Sequence, residues 1–546
     1  MEIWKSERMK FMKFIVKRKD PKLLAIILLG VAAVVSVVFC ALTMATDMFA
    51  PKQEFASLIL YEGPKPVAPS DIAEMEVDGH PLFVYETSVN NTHKWRNDYK
   101  PSRSKAPVAS FDFEGGAVTM KITVNDPGEE GLGDVVVRPL AYGIRPEVEG
   151  NEITFRIDQP DIYTVEYGGS AMNAMHIFAN AIDHDAPTAS TETVKYIGPG
   201  AWDIETMILE DGMEVYISGG AVVRGVMLGN EVSNVKVGGH GFLDGSHHDS
   251  WLLINNTAYV PVNLNNCTDI DISGIALLDP NAWCVNIYNC DNVELDNVKI
   301  ITARPNGDGI TIQSSRDVTV KNSFIRSWDD SLVVKNYASE KGTDSARVTF
   351  DNCQVWTDLA QSMEVGYETN KGGKVKPTIS DVTFRNITVL HNFHKPVMSI
   401  HNADDCAVSG IRYSNIVVED ASMGKGDAEK NAQLIDMTIA ASSWSSTTVR
   451  GTISDVSFDG VYVLDGDDMI DFIEGNFCPI RIEGADGEHL CSDITVNDLF
   501  LKGEPVTDEN VRNNQSSSID RNTANVHFTN TGSLPEALSG LPGSAE

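Results

Sequence analysis

The stretch RPNGDGITIQSSRDVTVKNSFIRSWDDSLVVK, residues 304–335, holds three aspartates in a setting where burial is costly. Asp308 lies between two glycines, and Asp329 and Asp330 are adjacent, just before the apolar run Leu332, Val333, Val334. Neighbouring carboxylates repel one another and resist desolvation. Clustered carboxyls also push their pKa values apart, so that one keeps its proton while another is ionised. That division suits acid–base cleavage of a glycosidic bond. Asp oxygens hold calcium as well, and Asp is a common turn residue. Residue types and spacing leave hydrolysis, cation binding and turn capping all open.

The elements that must position these aspartates are visible as a repeat. The pattern apolar-x-apolar-x-polar/Gly-apolar occurs as IDISGI at Ile270, VELDNV at Val293, VTVKNS at Val318 and VTFDNC at Val348. It continues as VTFRNI at Val382, IRYSNI at Ile411, VSFDGV at Val456 and ITVNDL at Ile494, with a degenerate copy at Val235. The intervals run from 23 to 45 residues. A short strand, a polar residue turning through the left-handed region, and another strand make one coil of a right-handed parallel β-helix. Leucine-rich repeats would need a Leu-x-x-Leu-x-Leu pattern that is absent. Second strands align as VNIY at Val285, ITIQ at Ile310, LVVK at Leu332 and MSIH at Met398. Asp308 precedes Ile310 by two residues, as Asp330 precedes Leu332. The two should stack on successive coils, about 4.8 Å apart. Asp329 should project to the side, giving a carboxylate cluster on the outer wall, in a cleft between loops.

Upstream, residues 71–195 alternate in period two with turn residues between, as in GDVVVRPLAYGI, NEITFRI and IYTVEY. They read as an antiparallel β-sandwich packed on the N-terminal end of the helix. The fold class is therefore all-β, a sandwich followed by a solenoid over 196–503. Residues 46–70, with four prolines, read as a linker, and 504–546 as an irregular tail.

Residues 1–45 are basic, with eight Lys/Arg against three Asp/Glu, and 23–45 carry no charge. Twenty-three residues at about 1.5 Å each span a membrane. The preceding Lys17, Arg18, Lys19 and Lys22 put the N-terminus inside and the remainder outside. An uncleaved anchor and a cleaved signal are the two readings. The remaining chain has 35 basic and 74 acidic residues, about -39. Such a body excludes nucleic acid as a partner and suits an extracellular protein, at the outer face of the membrane or secreted. Seven of the eight cysteines are scattered between Cys267 and Cys491 without a CxxC, which points to isolated buried thiols.

NGDG followed 21 residues later by DDSLVVK resembles the catalytic signature of glycoside hydrolase family 28, the polygalacturonases. It is similar, too, to the catalytic region of family 49, the dextranases and isopullulanases. VGGHGFLDGS from Val237 resembles the segment that opens the helix in both. The sandwich segments resemble the N-terminal domain of family 49. The resemblance covers roughly residues 80–500 and implies inverting hydrolysis with no metal and no cofactor. Two features of polygalacturonases are missing: the Gly-His-Gly after the Asp pair, and the Arg-x-Lys that grips the uronate. The expectation is therefore an extracellular inverting glycosidase of dextranase type, acting on a neutral α-glucan or related polysaccharide. A polygalacturonase-like pectin hydrolase and a non-catalytic carbohydrate-binding β-helix are the alternatives.

Carried over residue by residue, the resemblance makes Asp329 the general acid and gives Asp308 and Asp330 the attacking water. Asn306 would orient Asp308, and Lys335 would line a subsite. Glu364, Tyr367, His391 and His401 on later coils are candidate substrate contacts. His401 ends MSIH where Lys335 ends LVVK. Trp283 and Trp328 flank the cleft as candidate stacking surfaces.

Overall fold

The computed structural model describes residues 56–90, 103–129, 131–251, 257–337, 344–373, 376–422, 433–467, 478–514, 517–531 and a few positions beyond. The apolar run 23–45 lies outside them. No helix among the described residues is long and apolar enough to cross a membrane.

Each coil of the solenoid contributes to three parallel ladders. The first contains Thr268–Ser273, Asp291–Asp296, Arg316–Lys321 and Ser345–Asp351. It continues in the long strands Thr378–Asn392, Ala407–Val418, Thr452–Val463 and Cys491–Leu501. These are the strands of the repeat. Their polar or glycine residue turns the chain: Gly274, Asn297, Asn322, Asn352, Asn386, Asn415, Gly460 and Asp498 all have φ between 51° and 76°. Asn tolerates this region because its short amide bonds locally, and here the amides also bond along the stack. Asn352 Nδ2 donates to Asn322 Oδ1 at 2.8 Å, and Asn415 Nδ2 to Asn386 Oδ1 at 2.8 Å. Alternate residues point inward and form one continuous core. Phe350, Phe384, Tyr413 and Phe458 stack in it, with centroids 4.7–4.9 Å apart and planes within 6°.

The second ladder runs through Phe242–Asp244, Ala276–Leu278, Lys299–Ile301, Phe324–Ser327 and Gln354–Thr357. The third runs through Val262–Asn265, Val285–Tyr288, Ile310–Gln313, Leu332–Lys335, Met363–Tyr367, Met398–Asn402, Ile435–Ile439 and Ile480–Glu483. It carries the aspartates.

The sandwich has a six-stranded and a five-stranded sheet. Met75, Phe111, Phe113, Met120, Ile122, Phe155 and Ile177 fill its core. Pairing is antiparallel except between Arg103–Glu114 and Ser170–Asn180, which run parallel. The outer face of the six-stranded sheet presents Tyr85, Val108, Ile162 and Phe178. These pack on Phe242, Ile301, Phe324, Trp356 and Leu390 of the second ladder. The sandwich therefore lies along the flank of the solenoid, where an end-on position was expected. The reason is that the outward side of the second ladder carries a row of large apolar residues, Phe242, Ile301, Phe324 and Trp356, that need a cover. Polar groups join the two at this seam. Arg138 of the sandwich bonds Glu166 beside it and Glu419 of the solenoid, both at 2.8 Å, and Arg326 Nη1 of the solenoid lies 3.0 Å from His176 Nε2 of the sandwich.

Two expected boundaries differ. Strand Ser57–Leu60, inside the expected linker, pairs with Arg103–Glu114, because Leu58 and Leu60 pack against the sandwich core. The expected irregular tail contains a capped helix, Asp508–Asn513, and strands Ser518–Arg521 and Thr523–Thr529 that extend the third and first ladders. Ile519, Val526 and Phe528 are buried there against the last coil. The high Asn/Ser/Thr content conceals them, since outward positions of a coil are polar anyway. Removing residues 515–546 should cost on the order of 5 kcal/mol from these three side chains. Calorimetry should record a melting temperature lower by several degrees, and an unchanged transition would show that these strands do not close the solenoid.

Candidate active site

Strand register brings the aspartates together. Ile310 pairs with Leu332 across the third ladder, so Asp308 and Asp330, each two residues earlier, occupy equivalent places on successive coils. The loops that carry them are pinned by backbone bonds: Cys284 N–H to Asp308 O (3.0 Å), Gly309 N–H to Asp330 O (2.8 Å) and Asp329 N–H to Gly307 O (3.2 Å). Beneath them, Ser327, Ser331, Thr357 and Ser362 form a hydroxyl chain with spacings of 2.6–2.8 Å. The glycines flanking Asp308 are required by these close approaches. A Cβ on Gly309 would stand 2.5 Å from Ser331 O, and one on Gly307 2.6 Å from Arg304 O.

Asp308 and Asp330 are buried and Asp329 is half-buried. Lys335 Nζ lies 3.4 Å from Asp308, 3.7 Å from Asp330 and 3.5 Å from Glu368, with the Trp283 ring 5.3 Å away. Burial, resisted by Lys335 and reinforced by the Asp329 charge, pushes Asp308 up to about 7. Burial likewise raises Asp329, and raises Asp330 well above the carboxylate range, again against the pull of Lys335. Several carboxyls facing one ammonium cannot all ionise in a low-dielectric site, so part of the cluster is protonated near neutral pH. An acid and a base are then available side by side.

The outward row continues along the third ladder, where Val333, Glu364, Ser399, Asp436 and Arg481 fall in register. His401 is clamped between two carboxylates, with Nδ1 3.0 Å from Glu364 and Nε2 3.2 Å from Asp436. Asp436 in turn accepts from Arg481 Nε at 2.8 Å. Tyr367 stacks on the imidazole, centroids 4.2 Å apart and planes within 6°. Burial favours a neutral ring, yet Glu364 and Asp436 hold His401 charged, its pKa raised to about 10. Against its own burial, His401 and Arg481 keep Asp436 down to about 2.

Residues 206–499 match the family described as Glycosyl hydrolases family 28, over more than half of the chain. The chain belongs to this family. A probable endopolygalacturonase D of Neosartorya fischeri is 31% identical over 116 residues, 21% of this chain and 22% of the relative. An exopolygalacturonase of Zea mays is 24% identical over 243 residues, 42% of this chain and 55% of the relative. The chain thus spans well under two thirds of these curated relatives. Among solved structures, Dex49A from Penicillium minioluteum superposes with a TM-score of 0.55 at 16% identity, over 87% of this chain and 96% of that one. That likeness is one of fold, and it includes the sandwich as well as the helix.

Within this family-28 chain the expected residues divide. Asp308, Asp329, Asp330, Lys335, Glu364, Tyr367 and His401 converge on one wall. His391 does not: it lies on the second-ladder side, at the sandwich seam, with Nε2 2.6 Å from Glu166 and Nδ1 2.7 Å from Asp420. It follows a register shift in its strand, between Val355 and Trp356 of the pairing partner, so counting residues from the motif misplaces it. Asn306 sits at φ 57° and shapes the turn before Asp308. Trp328 is buried and packs below the site. Sequence reasoning missed Glu368, Asp436 and Arg481. The signal for the last two was present in IDM and IRI, short apolar-polar-apolar strands matching VNI and ITI, but long loops separate them from the motif. Among the described residues no group of three or more His, Cys, Asp or Glu is arranged to hold a metal ion.

The clamp on His401 has a pH signature. A folded-state pKa raised to about 10 contributes stability that is complete below the unfolded value near 6.5 and is lost as pH rises toward 10. His401→Gln should therefore melt well below wild type at pH 6, with the gap closing by about pH 10. A constant gap across that range, in parallel thermal melts, would show that the ring contributes by packing alone.

Proposed function

We propose that the protein is an inverting glycoside hydrolase acting outside the cell on a galacturonate-containing polysaccharide. The observation that carries the reading is the convergence of Asp308, Asp329 and Asp330, from two successive coils, in a cluster built around Lys335. Asp329, half-exposed and raised by burial, is the proton donor to the leaving oxygen. Asp308 and Asp330 share Lys335, which stabilises whichever of them is ionised, and that carboxylate takes the proton of the attacking water. Direct attack by water from the face opposite the acid inverts the anomeric centre. Family membership and the polygalacturonase names of the curated relatives support the pectic substrate. The acidic body and the basic-then-apolar N-terminus support an extracellular setting.

A second substrate reading, a neutral α-glucan, is favoured by the electrostatics of the floor. Three of its described cations already face carboxylates: Lys335 has Asp308, Asp330 and Glu368, His401 has Glu364 and Asp436, and Arg481 has Asp436, while Lys395 acts on Asp329. A uronate would have to compete for them. Release of reducing ends from polygalacturonate, pullulan and dextran distinguishes the two, and cleavage of none of them would count against the enzyme reading.

On the best substrate, Asp329→Asn should lose a factor of about 10²–10⁴ in kcat, the usual worth of general acid catalysis. Asp308→Asn and Asp330→Asn should be severe as well. Melting temperatures should hold or rise slightly, because one member of a repelling cluster is gone. If Asp329→Asn keeps more than about a tenth of wild-type turnover, the acid is a different residue.

A further inference from the structure

Lys335 is surrounded more fully than the acid–base scheme requires. An ammonium offers three N–H directions, and three carboxylates approach it: Asp308 at 3.4 Å, Asp330 at 3.7 Å and Glu368 at 3.5 Å. Glu368 is the one outside the aspartate motif. It directly follows strand Met363–Tyr367, one coil beyond Lys335, and is 7% exposed. Two bonds fix it: the Tyr337 hydroxyl donates to Oε1 at 3.3 Å, and Asn336 N–H donates to its backbone carbonyl at 2.8 Å. A carboxylate buried beside three aspartates is costly unless its charge is used.

We propose that Glu368 is a positioning residue of the active site, taking one N–H direction of Lys335 so that the ammonium cannot close fully onto Asp308 and Asp330 and the aspartates retain a shared proton. The proposal rests on the glycosidase reading above. Were Glu368 neutral, Lys335 would be left to the two aspartates, and both would ionise more easily. The charged and titratable groups facing the cluster are Asp308, Asp329, Asp330, Glu364, Lys335, Lys395 and Tyr337. Of these, Asp308 and Asp329 both feel the Glu368 charge, which makes their protons harder to remove.

The direction of the effect follows. Losing a nearby negative charge lowers the pKa of every remaining carboxyl, so Glu368→Gln should move both limbs of the pH–rate profile to lower pH, by about one unit. Glu368→Asp, which keeps the charge, should leave the limbs near their wild-type positions. The carboxyl C=O band in pH-difference infrared spectra reads the same protonation without substrate. A shift in the band with no polysaccharide cleaved would sink the glycosidase reading and leave the role of Glu368 standing. Limbs and band that stay within a few tenths of a unit of wild type in Glu368→Gln would overturn the proposal. If Glu368→Gln does not fold, Tyr337→Phe carries the test: without the hydroxyl bond, Glu368 is held less firmly against Lys335, and the same limbs should move the same way by less. No movement there overturns the proposal equally.

Discussion

Coil-on-coil register is the constraint on which everything else in this molecule depends. Backbone pairing sets neighbouring strands about 4.8 Å apart, and period-two alternation sends every second side chain outward. A polar residue at one outward position therefore meets its counterpart on the next coil at close range. Inside, the same rule stacks Phe350, Phe384, Tyr413 and Phe458 face to face. On the turns it aligns asparagine amides into bonding files. On the third ladder it produces a row of ionisable groups, and chemistry follows from how their charges are compensated.

Compensation differs along that row. Around Asp308 and Asp330 there are more carboxyls than cations, so protons stay bound and the cluster is held between charge states. On the next four coils, Glu364, His401, Asp436 and Arg481 alternate in sign, and each charge finds its opposite. The first arrangement is suited to exchanging protons and the second to holding a rigid floor. The aspartates sit in the loop two residues before the strand, whereas Glu364, Asp436 and Arg481 lie in register with Val333 inside it.

Much of this could be read from the chain itself. The repeat gave away the solenoid because its bend residue must enter the left-handed region, and Asn, Asp and Gly mark it coil after coil. The stacking of Asp308 on Asp330 followed from counting two residues back from ITIQ and LVVK. What stayed hidden depended on three dimensions. The second ladder carries large apolar residues outward as well as inward, and a short strand such as FIRS does not announce that its outward face is covered by another sheet. His391 shares a strand with the repeat motif, but a register shift and the turn of the coil carry it to that covered face. Glu368 lies beyond the end of a strand, where no periodicity applies. The terminal strands escaped because polar outward residues outnumber their few buried ones.

The seam between sandwich and solenoid bears on the order of assembly. The sandwich is made first on the ribosome and carries its own core, so it is ready while the coils are still emerging. Its exposed apolar sheet then meets the second ladder one coil at a time, from Phe242 toward Leu390. The bond between Arg138 and Glu419 closes a span of 281 residues. Docking is thus begun early and locked late, and a nascent chain arrested short of Glu419 would hold the seam without its last ionic clasp.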